Sequence, residues 1–284
     1  MKKRDFNHII ISPYLKMFGQ QMIERWNLTE MTVHNFNPQT PVIVLGMHIH
    51  KIPSYKKLIH NHKGPQIIFF GGSGDAVPVN LSYIKHRRES LPTYIFAKTK
   101  VLQVLLKKYN LPFTSAYIPF KDYSIFPPTP LGKKIYCHVG FPDHPQALKR
   151  LAWKPLVQPL IRKYGKDILY VPPNGKRFTP KQMYNLYKQC CVYIKPLSLS
   201  GSTTMWDMAY LGRKTICHSF APMPHIIKGP PQIKNGKNLD ILFSLINKEQ
   251  KKAGTLNLSL IERVKAEHIH TEEWLNHTFW HGNI

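Results

Sequence analysis

Acidic residues are scarce in this 284-residue chain, where 15 Asp and Glu stand against 40 Lys and Arg and give a formal net charge of +25. A charge of this size and single sign calls for an anionic partner or surface, and it excludes an acidic scaffold. One basic cluster alone is usually only solvated, but a solvated face normally mixes acids with bases. The sequence therefore favours a polyanionic partner.

Cysteine is also sparse, and Cys137, Cys190, Cys191 and Cys217 show neither CxxC spacing nor the density of a disulfide framework. They predict free thiols in a reducing compartment and give almost no support to a zinc site. No apolar run approaches the roughly 18 residues of a transmembrane helix, and the start lacks the apolar stretch of a signal peptide. We expect a soluble, monomeric protein in the cytoplasm, which is the host cytoplasm if the chain is viral.

Short β-branched or aromatic runs alternate with segments of helical period, which is typical of parallel sheets covered by helices. The predicted strands cover residues 8–11, 32–35, 41–45, 66–70, 94–96, 116–118, 134–139, 168–171, 192–195 and 215–218. In the second half, helices are predicted over residues 146–164, 180–189 and 202–211. A proline-rich segment at residues 126–132 resists both helix and central strand. We therefore predict two α/β domains, residues 1–128 and 129–261.

The most informative segment is residues 195–216, KPLSLSGSTTMWDMAYLGRKTI, which predicts a strand end, a small-residue turn, a helix and a second strand. At the helix start, backbone N–H groups and hydroxyls meet the positive end of the helix dipole and favour a phosphate. These groups belong to Ser200, Gly201, Ser202, Thr203 and Thr204. One turn later, the carboxylate of Asp207 is placed to accept hydrogen bonds from ribose hydroxyls. Plain helix capping by Ser202, with a solvated Asp207, explains the same residues equally well.

This segment resembles the nucleotide-sugar site in the C-terminal domain of glycosyltransferases with the GT-B fold. The match lies in the small-residue turn, the spacing from Asp207 to Gly212, and the basic and hydrophobic residues that follow. The chain departs from the paired-glutamate version of many retaining members, because Leu199 stands at the first acid position. The resemblance implies an α/β fold of two Rossmann-like domains facing across a cleft. It also implies a C-terminal helix over about residues 262–284 that crosses back to the first domain.

The resemblance further implies a nucleotide-sugar donor, with a UDP-sugar expected, and no tightly bound cofactor. It assigns donor contacts to Gly140, Pro173 and Lys195, together with the small-residue turn and Asp207. No protein-bound metal is expected. His48 and His50 alternate like two ligands on one strand face, but no third ligand stands near them in the sequence.

Sugar transfer needs a base that faces the acceptor hydroxyl, and the first domain has to supply it. Residues 66–76, QIIFFGGSGDA, predict an apolar strand that runs into a glycine loop ending in Asp75. Ligands of α/β sheets bind beyond the carboxyl ends of strands, so Asp75 is the first candidate base, with a structural charge pair as the equal alternative. His48 is the second candidate, although a lone histidine is more often structural. The missing first acid and the loop carboxylate together favour inversion at the anomeric carbon.

Acceptor contacts are predicted for Gly72 and Ser73 in the glycine loop and for the cluster of Lys85, Arg87 and Arg88. Basic groups with aromatic residues close by suit a sugar-phosphate backbone with an extruded base. A compact, basic GT-B protein resembles the phage enzymes that transfer glucose or arabinose to hydroxymethylcytosine in double-stranded DNA. On that resemblance, Asp75 deprotonates the hydroxymethyl group.

Two other functions stay open. One is a glycosyltransferase of surface polysaccharide or glycan synthesis, because the positive charge serves equally well for docking on an anionic membrane or an acidic glycan. The other is a non-catalytic nucleic-acid-binding protein on a degenerate α/β scaffold. The enzyme predicts thermal stabilisation by a nucleotide, whereas the binding protein predicts tight DNA binding that a nucleotide sugar leaves unchanged.

Overall fold

The computed structural model of the protein describes residues 6–49, 51–70, 76–97, 100–114, 127–137, 153–169, 178–195, 203–217, 225–230 and 236–275. The chain divides into two compact units. The first comprises the residues up to 122 and those from 267 onward, and the second comprises residues 123–266. Each unit is built on one five-stranded sheet.

The sheet of the first unit consists of β1 (His8–Ile11), β2 (Thr29–Glu30), β3 (Val42–Leu45), β4 (Gln66–Phe69) and β5 (Thr93–Phe96). All neighbouring strands are parallel, in the order β2-β1-β3-β4-β5. The helices are α1 (Lys16–Trp26), α2 (Pro53–Asn61), α3 (Ala76–Val79), α4 (Leu81–Ser90) and α5 (Lys100–Lys108). A 3₁₀ turn, Pro13–Leu15, joins β1 to α1.

Both faces of this sheet are covered, which explains why its strands are continuous apolar runs rather than alternating ones. On one face, Ile59 of α2, Ile84 of α4 and Leu106 of α5 belong to the same buried cluster as alternate residues of β3 and β4. On the other face, Met22 of α1 joins the remaining strand residues. Three helices therefore form one layer and α1 lies on the opposite side.

The sheet of the second unit consists of β6 (Lys134–Cys137), β7 (Ile168–Leu169), β8 (Cys190–Ile194), β9 (Lys214–Cys217) and β10 (Ile226–Lys228). Its strands are parallel, in the order β10-β9-β8-β6-β7. The helices are α6 (Gln158–Tyr164), α7 (Pro180–Tyr187), α8 (Thr203–Tyr210), α9 (Gly236–Gln250) and α10 (Leu258–Leu275). The chain passes from the second unit back into the first within α10, at residue 267.

The two sheets share one strand order. Counted within its own unit, each sheet runs 2-1-3-4-5. In this topology the connections after the first and third strands leave in opposite directions, so a crevice opens between the carboxyl ends of these strands. This switch point lies between β1 and β3 in the first unit and between β6 and β8 in the second.

The predicted α/β class is confirmed by these two parallel sheets. Where residues are described, the predicted strands agree with the observed ones to within two residues at each end, with one exception. The predicted strand at 116–118 lies outside the described residues, and β10 was not predicted. Within the described ranges, no helix is both long enough and apolar enough to span a bilayer.

The exception is the predicted strand over residues 32–35, which is wrong because a side chain competes for the backbone. The Oδ1 atom of Asn35 accepts a hydrogen bond from the backbone N–H of Thr32 (2.6 Å), and its amide donates to the carbonyl of Glu30 (2.9 Å). These contacts fold the segment into a bend. The strand at this place, β2, ends at Glu30.

A buried guanidinium holds the backbone of the second unit together. Arg213 is fully buried, and burial lowers its pKa to about 10, so the group stays cationic at neutral pH. It donates hydrogen bonds to the backbone carbonyls of Thr129 (2.8 Å), Pro130 (2.6 Å), Lys188 (3.0 Å), Cys190 (3.1 Å) and Leu211. These carbonyls come from the proline-rich segment, the end of α7, the start of β8 and the end of α8. Carbonyl dipoles thus take the place of a counter-ion.

We predict that Arg213→Met and Arg213→Lys each lower the free energy of unfolding by about 3 kcal/mol or more, since several buried carbonyls lose their donors. Urea denaturation of the whole chain measures the change. Lys214→Met is the matched control, because Lys214 is the adjacent, half-buried residue and should cost less than about 1 kcal/mol. An Arg213→Met variant as stable as the control would contradict the assignment.

Candidate functional site

The switch point of the first sheet holds a hydrogen-bonded serine and histidine. Ser12 directly follows β1, and His48 lies three residues beyond β3. The Oγ atom of Ser12 is 2.8 Å from Nδ1 of His48. Ser12 is fully buried and its backbone N–H donates to the carbonyl of Leu45 (2.9 Å), so this serine is fixed to β3 as well as to His48. The imidazole is therefore held through Nδ1.

A glycine makes this approach possible. Gly46 has φ +87°, and a Cβ atom there would lie 2.8 Å from both Ser12 Cβ and Leu15 Cδ1. The carbonyls of the turn are held by buried side chains. Tyr55 Oη donates to Gly46 O (2.6 Å), and Asn80 Nδ2 donates to Met47 O (2.7 Å). His48 thus projects from a turn whose backbone is fixed.

Two exposed side chains border His48. The ring of Tyr14, in the 3₁₀ turn after β1, meets the His48 ring edge-on, with a centroid distance of 5.1 Å. The Nζ atom of Lys51 lies 5.9 Å from the centroid of the Tyr14 ring. The edge between β1 and β3 therefore presents an imidazole, an aromatic ring and a cation together.

The other residues predicted for the first unit have different outcomes. Asp75, Gly72 and Ser73 lie outside the described residues. Lys85 is exposed on α4, and Arg88 is half-buried on the same helix. Their acceptor contacts stay predictions.

For Arg87, the predicted acceptor contact is wrong. Its side chain is 4% exposed, and its guanidinium donates to the backbone carbonyls of His62 (2.6 Å) and Gly64. Burial lowers the pKa of Arg87, and the nearby Tyr83 opposes this shift. Arg87 follows the buried Ile84 by three residues, so both lie on the side of α4 that faces the sheet. The side chain of Arg87 is therefore buried because of its position in the helical period, although it belongs to the basic cluster in the sequence.

The switch point of the second sheet carries Lys195, one of the predicted donor contacts. Lys195 follows β8 directly, and its backbone N–H donates to the carbonyl of Ile216 in β9 (3.1 Å). Burial lowers the pKa of Lys195 to about 8. The ammonium group is thus largely charged at pH 7 and titrates just above it. The predicted donor contacts of Gly140, Pro173, Ser200, Gly201 and Ser202 lie outside the described residues.

Helix α8, Thr203–Tyr210, lies within the helix predicted over residues 202–211. Thr204 is buried, and its Oγ1 accepts a hydrogen bond from Tyr187 Oη (3.3 Å). Asp207 is 5% exposed, which makes the alternative of a solvated Asp207 wrong. Burial, and after it the charge of Asp207, raises the pKa of Tyr187 well above its usual value. The carboxylate therefore lies near a tyrosine in the interior of the unit.

The cysteines are described on the strands of the second unit. All four cysteines are free and buried, on β6, β8 and β9. Burial raises the pKa of Cys137 and of Cys191 to about 12, so these thiols stay protonated and unreactive. In the described ranges, no three His, Cys, Asp or Glu side chains are grouped closely enough to hold a metal ion.

Sequence reasoning missed Ser12, Tyr14 and His225. The first two follow an apolar strand in a Ser-Pro-Tyr turn, so their position at a strand end was a usable signal. His225 precedes β10 and is fully buried, with its ring 4.5 Å from that of Trp206 in α8. Among the described residues, neither ring nitrogen has a hydrogen-bond partner, and burial lowers the pKa of His225 to about 4.

We predict that His225→Phe makes the free energy of unfolding depend less on pH between pH 7.5 and pH 5. The folded pKa of about 4 lies below the unfolded value of about 6.5. The stability that depends on neutral His225 is therefore complete above pH 6.5 and is lost as the pH falls towards 4. Between pH 7.5 and pH 5 the variant should lose about 2 kcal/mol less than the wild type, measured by urea denaturation. The exposed His86→Gln should follow the wild type. Parallel curves for His225→Phe and wild type would refute this.

The fold is shared with solved structures. The chain is similar to Anabaena HepE in complex with UDP and glucose, with a TM-score of 0.53 and 8% identity over 96% of this chain and 100% of that chain. It is equally similar to HepE in complex with UDP-glucose, with a TM-score of 0.53 and 9% identity over 95% and 99%. A glycosyltransferase from Rickettsia africae gives a TM-score of 0.48 and 12% identity over 94% of each chain. No protein-family model and no curated protein sequence matches. At 8–9% identity, the HepE structures establish a common fold over the whole chain.

Proposed function

We propose that the protein is a glycosyltransferase that moves a sugar from a nucleotide-sugar donor to a hydroxyl acceptor. The observation that carries this proposal is that His48 and Lys195 occupy corresponding places, just beyond the third strand of two sheets with one strand order. One sheet edge thus offers a proton acceptor and the other a cation. HepE, which has the same fold, was crystallised with UDP and glucose and with UDP-glucose. A UDP-sugar is therefore the proposed donor.

The donor side of the proposal rests on the second unit. As the sugar leaves, negative charge develops on the diphosphate, and fixed donors that neutralise this charge speed the reaction. Lys195 supplies a cation, and residues 200–204, the last two of which begin α8, are proposed to supply N–H groups and hydroxyls. Gly140 and Pro173 complete the proposed donor site. Asp207, which is buried in α8, remains the proposed contact to the ribose hydroxyls of the donor.

The acceptor side rests on the first unit, with Asp75 and His48 as the candidate bases. For His48, an Nδ1–H that donates to Ser12 leaves the lone pair on Nε2. The base takes the proton of the acceptor hydroxyl, the oxygen bonds to the anomeric carbon, and the bond to the diphosphate breaks, with inversion at that carbon. The domains proposed for the two halves are residues 1–128 with the helix over about 262–284, and residues 129–261.

The acceptor is proposed to be a polyanion because one helical layer of the first unit is strongly basic. Helices α2, α4 and α5 cover the same face of the sheet. Their exposed cations are Lys56, Lys57, Lys85, Lys107 and Lys108. The acid within these helices is Glu89. Such a face suits a phosphodiester backbone, and hydroxymethylcytosine in double-stranded DNA is the proposed acceptor, with glucose or arabinose as the sugar.

We expect the affinity for UDP to fall between pH 7 and pH 9, because Lys195 loses its charge through a pKa of about 8. Titration calorimetry with UDP should give a decrease of about tenfold, equivalent to one good charged contact. Lys195→Arg should keep its affinity at pH 9, and Lys195→Met should bind weakly at both pH values. Exposed Lys188→Met, at the end of α7, is the control. A wild-type affinity that does not change with pH would remove Lys195 from the donor site.

We expect the protein, incubated with UDP-glucose or UDP-arabinose, to add a sugar to DNA that contains hydroxymethylcytosine and not to unmodified DNA. Mass analysis of the digested nucleosides detects the adduct. His48→Gln or Asp75→Asn should reduce turnover at least a hundredfold, depending on which residue is the base, while UDP still raises the melting temperature.

Other outcomes have distinct meanings. UDP stabilisation without a DNA adduct would reject DNA and favour a glycan acceptor. If UDP, other nucleotides and UDP-sugars all leave the melting temperature unchanged, the transferase proposal fails. Tight DNA binding under those conditions would favour the non-catalytic nucleic-acid-binding protein.

A further inference from the structure

The ring of Tyr14 is exposed on a turn that is itself fixed. Its side chain is 61% exposed, whereas the neighbouring Leu15 is buried. The backbone N–H of Leu15 donates to the carbonyl of Ser12 (2.7 Å), and Pro13 restricts φ at the start of the turn. The core therefore holds the backbone of Tyr14 but not its ring, which is free to meet a ligand.

Lys51 is tied to the same place. Its backbone N–H donates to the carbonyl of His48 (3.0 Å), and its Nζ lies 5.9 Å from the Tyr14 ring centroid. The side chain of Lys51 is exposed. Tyr14, His48 and Lys51 thus form one group, here named the Tyr14 subsite, whose members are linked by ring contact and by backbone hydrogen bonding.

A lone exposed aromatic residue or cation–π pair would not by itself indicate a ligand site, because such features are ordinary on protein surfaces. Lys163 and Tyr164 in the second unit form a comparable pair, with Nζ 6.0 Å from the ring centroid. There, however, the tyrosine is half-buried and its hydroxyl donates to Asn247 Oδ1 (2.9 Å). Of these two pairs, the Tyr14 pair is the one that lies at a switch point beside an imidazole, which is where a ligand is expected in an open α/β sheet.

We propose that Tyr14 is the stacking platform for the ring that carries the reactive hydroxyl of the acceptor. This inference rests on the proposed function and names the chemistry of its acceptor. A nucleobase stacks on the Tyr14 face, its exocyclic hydroxyl meets Nε2 of His48, and Lys51 contacts the phosphate attached to the same nucleotide. Tyr14 and Lys51 therefore select the acceptor. Ser12 is a positioning residue, because its hydrogen bond to Nδ1 holds the His48 ring beside Tyr14.

Binding in the absence of any donor tests the subsite directly. The probe is a fluorescein-labelled, single-stranded hexanucleotide with one hydroxymethylcytosine, which needs no base to be unpaired. Fluorescence anisotropy should show that Tyr14→Ala weakens binding about tenfold or more, while Tyr14→Phe stays within about twofold of the wild type. Lys51→Met should weaken binding. It should also reduce the slope of log Kd against log salt concentration by about the amount that one phosphate contact contributes.

Two controls separate the subsite from general surface effects. Met17→Ala removes a neighbouring side chain that is 59% exposed and lies on α1. Lys163→Met removes the cation of the comparable pair. Both variants should bind the hexanucleotide as the wild type does.

The second readout is the imidazole resonance of His48 in ¹⁵N NMR, assigned by its loss in His48→Gln. The hydroxymethylcytosine hexanucleotide should shift this resonance, and the cytosine counterpart should shift it less. Ser12→Ala should keep the Kd measured by anisotropy within about threefold of the wild type. It should, however, reduce the difference between the His48 shifts that the two hexanucleotides cause. A merely structural role of Ser12 would leave that difference unchanged.

The proposal is overturned if Tyr14→Ala binds the hexanucleotide as tightly as the wild type, or if His48 responds to methyl glucoside and not to the oligonucleotide. The latter result would assign the subsite to a glycan acceptor. Neither readout uses UDP or turnover, so the subsite can fail while sugar transfer persists. Failure of the proposed function would be seen separately, as a melting temperature that no nucleotide changes.

Discussion

A parallel sheet with strand order 2-1-3-4-5 has to send its connections in opposite directions from the first and third strands, and this constraint decides where each unit can bind a ligand. The residues just past those strands lie at the end of the sheet where the crevice opens. In the first unit they include Ser12 and His48, and in the second unit Lys195. Two sheets of the same architecture thus carry different groups at corresponding places, an imidazole in the first unit and an ammonium group in the second. The HepE structures share this fold.

The shortage of acids shapes the interior as well as the surface. Arg213 and Arg87 are both buried, and the described hydrogen bonds of their guanidinium groups go mainly to backbone carbonyls. Because five donors in a planar fork can bridge several carbonyls at once, arginine is suited to this task where lysine is not. Inside each unit, a buried cation therefore joins several segments of the chain through their backbone carbonyls.

The strands could be predicted because covered parallel strands are continuous apolar runs, as at residues 42–45 and 66–69. The prediction failed at residues 32–35, where the side chain of Asn35 takes a backbone hydrogen bond that a strand would need. It also missed β10, which has only three residues. Of the candidate site, His48 was predicted as the second candidate base and Lys195 as a donor contact implied by the resemblance, and both roles stay predictions. Arg87 was misassigned because residue type was weighed above helical period. The partnership of Ser12 with His48 spans 36 positions in the chain, and only folding reveals such a contact.

The return of the chain into the first unit at residue 267 also sets an order of events during synthesis. The second unit is one continuous stretch, so all of its residues leave the ribosome before the last segment of the first unit does. The first unit, although it begins the chain, is completed last. Domains generally fold as units as they emerge, and here the earlier unit has to wait for its final segment while the later one closes. A nascent chain that stopped at residue 266 would carry all of the second unit beside an incomplete first one.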